Sequence, residues 1–316
     1  MAFALDPEIA IALAPMAEAS AGAALPAVGD IAGRRVMWES IIGAAGAAQP
    51  SPSDVKTSEH YATSDDGEQV KMRWYVKDGV APGSAVLFFH GGGYILGHID
   101  LFDGPVSRYT SASGVPMLSV EYRRAPEHPF PTPLEDAYAA LVWLHDHASE
   151  LGIDPDRIGV MGDSAGGGMA AALAILARER GGPKIARQIL IMPMLDDRTR
   201  TPDPYIAPYA LWSYDDSATA WPALLGEADG GPDVPATAAP ARLEDASGLP
   251  PAYIEVGQID VFRDEDSAYA MKLSRAGVPV EFHLHPGAPH EFDSIAFESD
   301  VARRAVADRV RVLKSI

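Results

Sequence analysis

From about residue 58 to its last residue the chain alternates short runs of apolar and β-branched residues with longer stretches of helical periodicity. Few folds accept that rhythm. The runs are EHYAT (59–63), KMRWYV (71–76), AVLFFH (85–90), MLSVEY (117–122), RIGVMG (157–162), QILIMP (188–193), AYIEVG (252–257) and VEFHLH (280–285). The middle runs are apolar at nearly every position, as strands are when helices cover both faces of a parallel sheet. KMRWYV alternates instead and suits a half-exposed antiparallel edge. The stretches between carry helical stripes: Ala137, Leu141 and Leu144 before a stop at Gly152, a second helix stopping at Gly277, and Val301, Ala305, Val306, Val310 and Leu313 in the last. The rhythm predicts an α/β fold with a mostly parallel sheet of about eight strands flanked by helices.

Two segments break the pattern. Residues 1–50 are Ala-rich and helical and run into a QPSPSD linker, while residues 197–247 are rich in Pro, Trp and Tyr. We expect them to form a two-part helical cap on a core built from residues 51–196 and 248–316. Open α/β sheets bind ligands beyond the carboxyl ends of their strands. Set there, Trp212, Tyr214 and Trp221, together with Tyr94, are expected to wall a substrate pocket.

Charge and composition remove several classes of function. Lys+Arg of 25 against Asp+Glu of 44 leaves a formal charge of −19, which repels nucleic acid and anionic membrane. The absence of cysteine excludes disulfides, Cys-ligated zinc, iron–sulfur clusters and thiol nucleophiles. The first residues lack Lys and Arg and include Asp6 and Glu8, unlike a secretory signal. No uncharged apolar stretch reaches the ~18 residues of a membrane span. A cytoplasmic location is expected, and a homodimer is compatible with the sequence.

One serine stands out. In GVMGDSAGGGMA (159–170), Gly162, Ser164 and Gly166 satisfy GxSxG between a strand and a helix. A sharp turn there lifts Oγ above the sheet and leaves no room for larger neighbours. Ser164 could instead simply cap the helix. A phosphate cradle is less suited, because the turn has no Lys or Arg and GxxxxGK[ST] is absent. A serine nucleophile needs a base and a group to orient it, in the chain order Ser, Asp, His for this kind of sheet. Asp260 follows the AYIEVG strand and His290 follows VEFHLH in a Gly/Pro loop. Asp260 has a capping role as its alternative, and Asp264, Glu265 and Asp266 read as first-turn charges that favour the helix dipole. His283 and His285 form an HxH pair without an evident third ligand, so no metal is expected. His145 and His147 read as surface residues. FFHGGGYILG (88–97) places three glycines directly after a buried strand, where backbone N–H groups can approach a developing negative charge.

HGGGY (90–94) together with GDSAGG (162–167) resembles the hormone-sensitive-lipase family of α/β-hydrolases, in its bacterial esterase branch. VEYRRAPEHPFPTPLEDAYAALVWL (120–144), PMLDDR (193–198) and HPGAPHEF (285–292) extend the likeness over about residues 55–316. The resemblance implies Ser164 as nucleophile, Asp260 as acid, His290 as base, and the N–H groups of Gly92, Gly93 and Ala165 as oxyanion donors. The chain departs from the family pattern at DVFRDE, where DPLRDE is usual, and at GAPHEF, where a larger apolar residue usually precedes the histidine. The expected activity is hydrolysis of small-molecule carboxylic esters of short to medium acyl chain, without metal or organic cofactor. An amidase or arylformamidase on the same residues is the alternative. A non-catalytic receptor, as in the gibberellin receptors that resemble this family, would lack the histidine found here.

Overall fold

A computed structural model describes residues 3–19, 22 and 24–316 of the chain. Eight strands lie among the described residues: β1 (Val55–Thr63), β2 (Gln69–Lys77), β3 (Ala85–Phe89), β4 (Met117–Val120), β5 (Ile158–Asp163), β6 (Arg187–Ile191), β7 (Ala252–Gly257) and β8 (Val280–His285). They form one sheet in the order β1-β2-β4-β3-β5-β6-β7-β8. β2 runs antiparallel to both its neighbours, and every other pair is parallel. Each of the eight expected runs is a strand, displaced at its ends by a few residues. One expectation is corrected. β2 is not an edge, because β1 pairs with it from Val55 to Thr63 and takes the outside position. The alternation of β2 has another cause: Met72 and Trp74 enter the core, while Lys71 and Arg73 reach Glu59 on β1 at 2.6 and 3.2 Å.

The helices are α1 (Pro7–Ala19), α2 (Ile31–Ala47), α3 (Asp103–Ser113), α4 (Thr132–Asp146), α5 (Ala165–Arg180), α6 (Tyr214–Leu225), α7 (Arg263–Arg275), α8 (Phe292–Ile295) and α9 (Asp300–Leu313). They cover both faces of the sheet. Leu87 and Phe89 of β3 join one apolar cluster with α4, α5 and α7, while Val86 and Phe88 join a second with α1, α3 and α9. Burial on both faces is therefore why these strands show no alternation. α5 is central, and every residue from Ala165 to Ala177 is buried. Its Gly- and Ala-rich sequence lets it lie against backbone. The stripe of α9 is turned from the expected one, with Val306 and Val310 half-buried and Ala302, Arg309 and Val312 inside. Arg309 is held there by Glu255 at 2.6 Å, the Tyr109 hydroxyl at 2.7 Å, and Asp293.

The two segments outside the alternation meet each other. Arg34 of α2 and Asp216 of α6 form a buried ion pair at 2.8 Å, the Gly29 amide donates to Thr219 Oγ1 at 3.0 Å, and the Trp38 and Trp212 rings lie 5.9 Å apart. Among the described residues no helix is long and apolar enough to cross a membrane.

A buried pair broken on one side leaves an unpaired charge in low dielectric. Arg34→Ala is expected to lower unfolding stability by about 3–5 kcal/mol in urea titrations, and replacing both partners with apolar residues to recover most of the loss.

Candidate active site

β5 ends at Asp163 and α5 begins at Ala165, so Ser164 alone makes the turn, at φ 53° and ψ −120°. A non-glycine residue at positive φ is strained, and its surroundings must hold it. They do so through backbone: Ser164 N–H donates to Ile191 at 2.8 Å, and its carbonyl accepts from Met194 at 2.9 Å and Gly168 at 3.0 Å. The flanking glycines are required by close approach. A Cβ on Gly162 would overlap the Gly166 backbone, and a Cβ on Gly166 would overlap the Phe89 carbonyl. The Ser164 side chain caps nothing in α5. Its Oγ instead donates to His290 Nε2 at 3.0 Å.

His290 Nδ1–H donates in turn to Asp260 Oδ2 at 2.7 Å. The other Asp260 oxygen accepts from the Phe262 amide at 3.0 Å, which fixes the carboxylate while it shapes the entry to α7. All three side chains are buried. Burial pulls the His290 pKa down, but the Asp260 charge and hydrogen bond outweigh it, and the net shift is upward. The Phe262 ring meets the imidazole edge-on, with centroids 5.2 Å apart.

The HGGG run forms a turn beside the serine. Gly91 and Gly92 line the same cavity as Ser164 and His290. Among the described residues, the amides of Gly92, Gly93 and Ala165 have no protein acceptor. The turn is clamped from both sides. Trp212 lies over Gly93 so closely that a Cβ there would enter the ring. His90 stacks between Tyr122 and Phe102 with centroids 4.4 and 5.3 Å away, and burial pushes its pKa down to about 3, leaving a neutral imidazole whose Nδ1 lies 2.8 Å from the Gly91 carbonyl.

The cavity above these groups holds about 720 Å³ of empty space, mouth included. Its walls are mainly apolar. Trp212 lines it as expected, but Tyr94, Tyr214 and Trp221 do not. Tyr94 packs against Trp221 of α6 at 5.9 Å, and the Tyr214 hydroxyl accepts from the Asp203 amide at 3.2 Å. Much of the wall comes from α2 through Trp38, Ile41, Ile42 and Ala45. Sequence reading missed these residues, although their spacing of three, one and three is a helical stripe that could have flagged them.

Other candidates fall elsewhere. Glu265 and Asp266 are buried, unlike charges serving a helix dipole, and burial pushes both carboxyls well up. Glu265 accepts from the Leu195 and Asp196 amides at 2.7 and 3.0 Å, and so ties α7 to the start of the 197–247 segment. His283 pairs with Glu281 at 2.8 Å and His285 lies 3.5 Å from Glu255. His145 and His147 are both half-buried, and His147 stacks on Trp143 with centroids 4.3 Å apart. Among the described residues no group of three or more His, Asp or Glu is placed to hold a metal ion.

Comparison with known proteins adds independent findings. A family model described as the α/β-hydrolase fold matches residues 86–294. Esterase LipI of Mycobacterium tuberculosis is 41% identical over 212 residues, spanning 64% of this chain and 63% of LipI. An ethyl acetate hydrolase of Pseudomonas putida is 35% identical over 260 residues, or 75% of this chain and 77% of that one. The solved structure of a bacterial heroin esterase superposes with a TM-score of 0.89 at 38% identity, covering 98% of this chain and 97% of the other.

The elbow's steric demand is directly measurable. Gly166→Ala should destabilise the fold by about 3 kcal/mol or more in urea titrations. Gly181→Ala, at positive φ at the far end of α5 with open space around it, should cost about 1–2 kcal/mol.

Proposed function

The chain belongs to the α/β-hydrolase fold family, as a carboxylesterase of the hormone-sensitive-lipase-like branch, and on that premise we propose that Ser164, His290 and Asp260 are its catalytic triad. The observation that carries this reading is the unbroken hydrogen-bonded series from Ser164 Oγ through His290 to Asp260. Ser164 Oγ attacks the acyl carbon while its proton passes to His290 Nε2, and Asp260 stabilises the imidazolium that forms. The carbonyl oxygen becomes an oxyanion and accepts from the free amides of Gly92, Gly93 and Ala165, with the start of α5 adding its positive dipole end. Collapse of this intermediate breaks the ester C–O bond, and His290 returns its proton to the departing alcohol. Water then attacks the acyl-enzyme with His290 as base, and the carboxylic acid leaves as Ser164 recovers its proton.

The substrates we assign are small carboxylic esters of short to medium acyl chain. The confined apolar cavity between α2 and Trp212 supports this range, as does the substrate named for the Pseudomonas putida relative.

Hydrolysis of p-nitrophenyl acetate through decanoate tests the reading. Ser164→Ala should lose at least about 10⁴-fold in kcat and should resist labelling by a fluorophosphonate. Near wild-type turnover in that variant would sink the assignment. The pH dependence has a definite sign, because only neutral His290 can act as base and its pKa is raised. The kcat/KM profile should therefore rise with pH through a value above that of an ordinary imidazole. Asp260→Asn should move this acid limb downward while lowering kcat by about 10⁴.

A further inference from the structure

Among the described residues four non-glycine positions have positive φ: Tyr94, Ser164, Met192 and Glu291. Backbone strain of this kind persists only where the surroundings impose it, and it collects at functional sites. Tyr94 belongs to the glycine turn after β3, and Ser164 is the elbow. The other two, Met192 at φ 38° and Glu291 at φ 55°, meet each other: the Glu291 amide donates to Met192 Sδ at 3.0 Å. Met192 directly follows Ile191, whose carbonyl accepts from the Ser164 amide at 2.8 Å, and Glu291 directly follows His290, whose Nε2 accepts from Ser164 Oγ at 3.0 Å. These contacts close a ring that runs from the serine through Met192 to the histidine and back.

The rest of the histidine loop shows what the sulfur contact adds. Upstream, the Ala288 carbonyl accepts from the Ile259 amide at 3.1 Å, and a Cβ on Gly257 would overlap the same carbonyl, so this end is fastened to the turn that carries Asp260. Downstream, α8 is tied to α2 by Gln49 on the Ser294 carbonyl at 2.9 Å and to α9 by Asp293 on Arg309, and neither helix carries a group of the triad. The thioether supplies the tie to the serine's side of the sheet. Met192 is itself well fixed: its amide donates to the Glu255 carbonyl at 2.7 Å, it lies between Ile191 and Met194, which both bond the Ser164 backbone, and it is fully buried. Among the described residues the Glu291 amide has no other acceptor. A thioether accepts weakly, so the worth of the contact lies in where it holds the loop rather than in bond strength.

We propose that Met192 is a positioning residue that sets the distance between His290 and Ser164 through its sulfur. The proposal rests on the reading of those two residues as base and nucleophile. Proton transfer from Oγ requires hydrogen-bond reach, and a misplacement on the order of 1 Å can cost about 10² in rate. Met192 grips the residue after His290 and is bonded to the residue that grips Ser164. Movement of one side therefore carries the other with it, and the separation of Oγ and Nε2 is kept while the acyl-enzyme forms and breaks down. A hydrocarbon side chain of the same volume would fill the space without coupling the two.

Met192→Leu removes the acceptor at nearly constant volume, so the packing is kept. The variant should unfold at the wild-type urea midpoint, yet lose about tenfold or more in kcat for p-nitrophenyl acetate with KM little changed. Met192→Gln offers an amide oxygen to the same N–H and should regain most of the lost kcat. Hydrogen exchange reads the contact directly: the Glu291 amide should be protected in wild type and should exchange about tenfold or more faster in Met192→Leu. Wild-type kcat in Met192→Leu, a kcat in Met192→Gln no higher than in Met192→Leu, or an unprotected Glu291 amide in wild type would overturn the proposal. Fluorophosphonate labelling of wild type separates the two levels: a labelled Ser164 with wild-type kcat in Met192→Leu refutes the role of Met192 alone, whereas an unlabelled serine refutes the triad and this role with it.

Discussion

The approach of the Gly166 backbone to the Phe89 carbonyl is the constraint on which the rest of the site depends. It brings α5 down onto the ends of β3 and β5 until no side chain fits between them. Ser164 is thereby forced into a conformation that a free chain would avoid, beside the glycine turn that follows β3. A serine and a set of amides that begin more than seventy positions apart are thus brought to one cavity by contact between two pieces of backbone. The strain is local, but the hydrogen bonds that hold it extend to Ile191 at the end of β6 and to Met194 just beyond it.

Burial then assigns different work to chemically similar groups. Asp260 binds an imidazole, Glu265 binds the amides of Leu195 and Asp196, and Glu255 neutralises Arg309. His90 and His290 part in the same way. One lies between aromatic rings with no carboxylate partner and is neutral, while the other gains a carboxylate and is made more basic.

Much of this was legible in the sequence. The strands could be read because burial on both faces leaves an unbroken apolar run, and AVLFFH or RIGVMG has no other economical explanation. Ser164, Asp260 and His290 could be nominated because each lies at a strand end, and strand ends share one rim of the sheet. What escaped depends on contacts between distant segments. Periodicity places Tyr94 and Tyr214 on an element without saying which neighbour will cover them. Glu265 and Asp266 look like solvent-facing charges until the 197–247 segment folds across the start of α7. β1 begins at Val55, before the EHYAT run that marks it, because its largely exposed faces leave no apolar signal, although its pairing is the longest in the sheet.

The wall contributed by α2 has a consequence for how such a protein can diversify. Trp38, Ile41, Ile42 and Ala45 lie outside the stretch that matches the family model, whereas Ser164, Asp260 and His290 lie within it. The helix that lines the cavity is joined to the core by the QPSPSD linker and held by the buried Arg34–Asp216 pair, by Arg35 on the Ile95 and Ala125 carbonyls at 2.7 and 3.0 Å, and by the Trp38–Trp212 contact. Substitution at Trp38, Ile41, Ile42 or Ala45 can therefore reshape the cavity wall while the stretch that matches the family model stays unchanged.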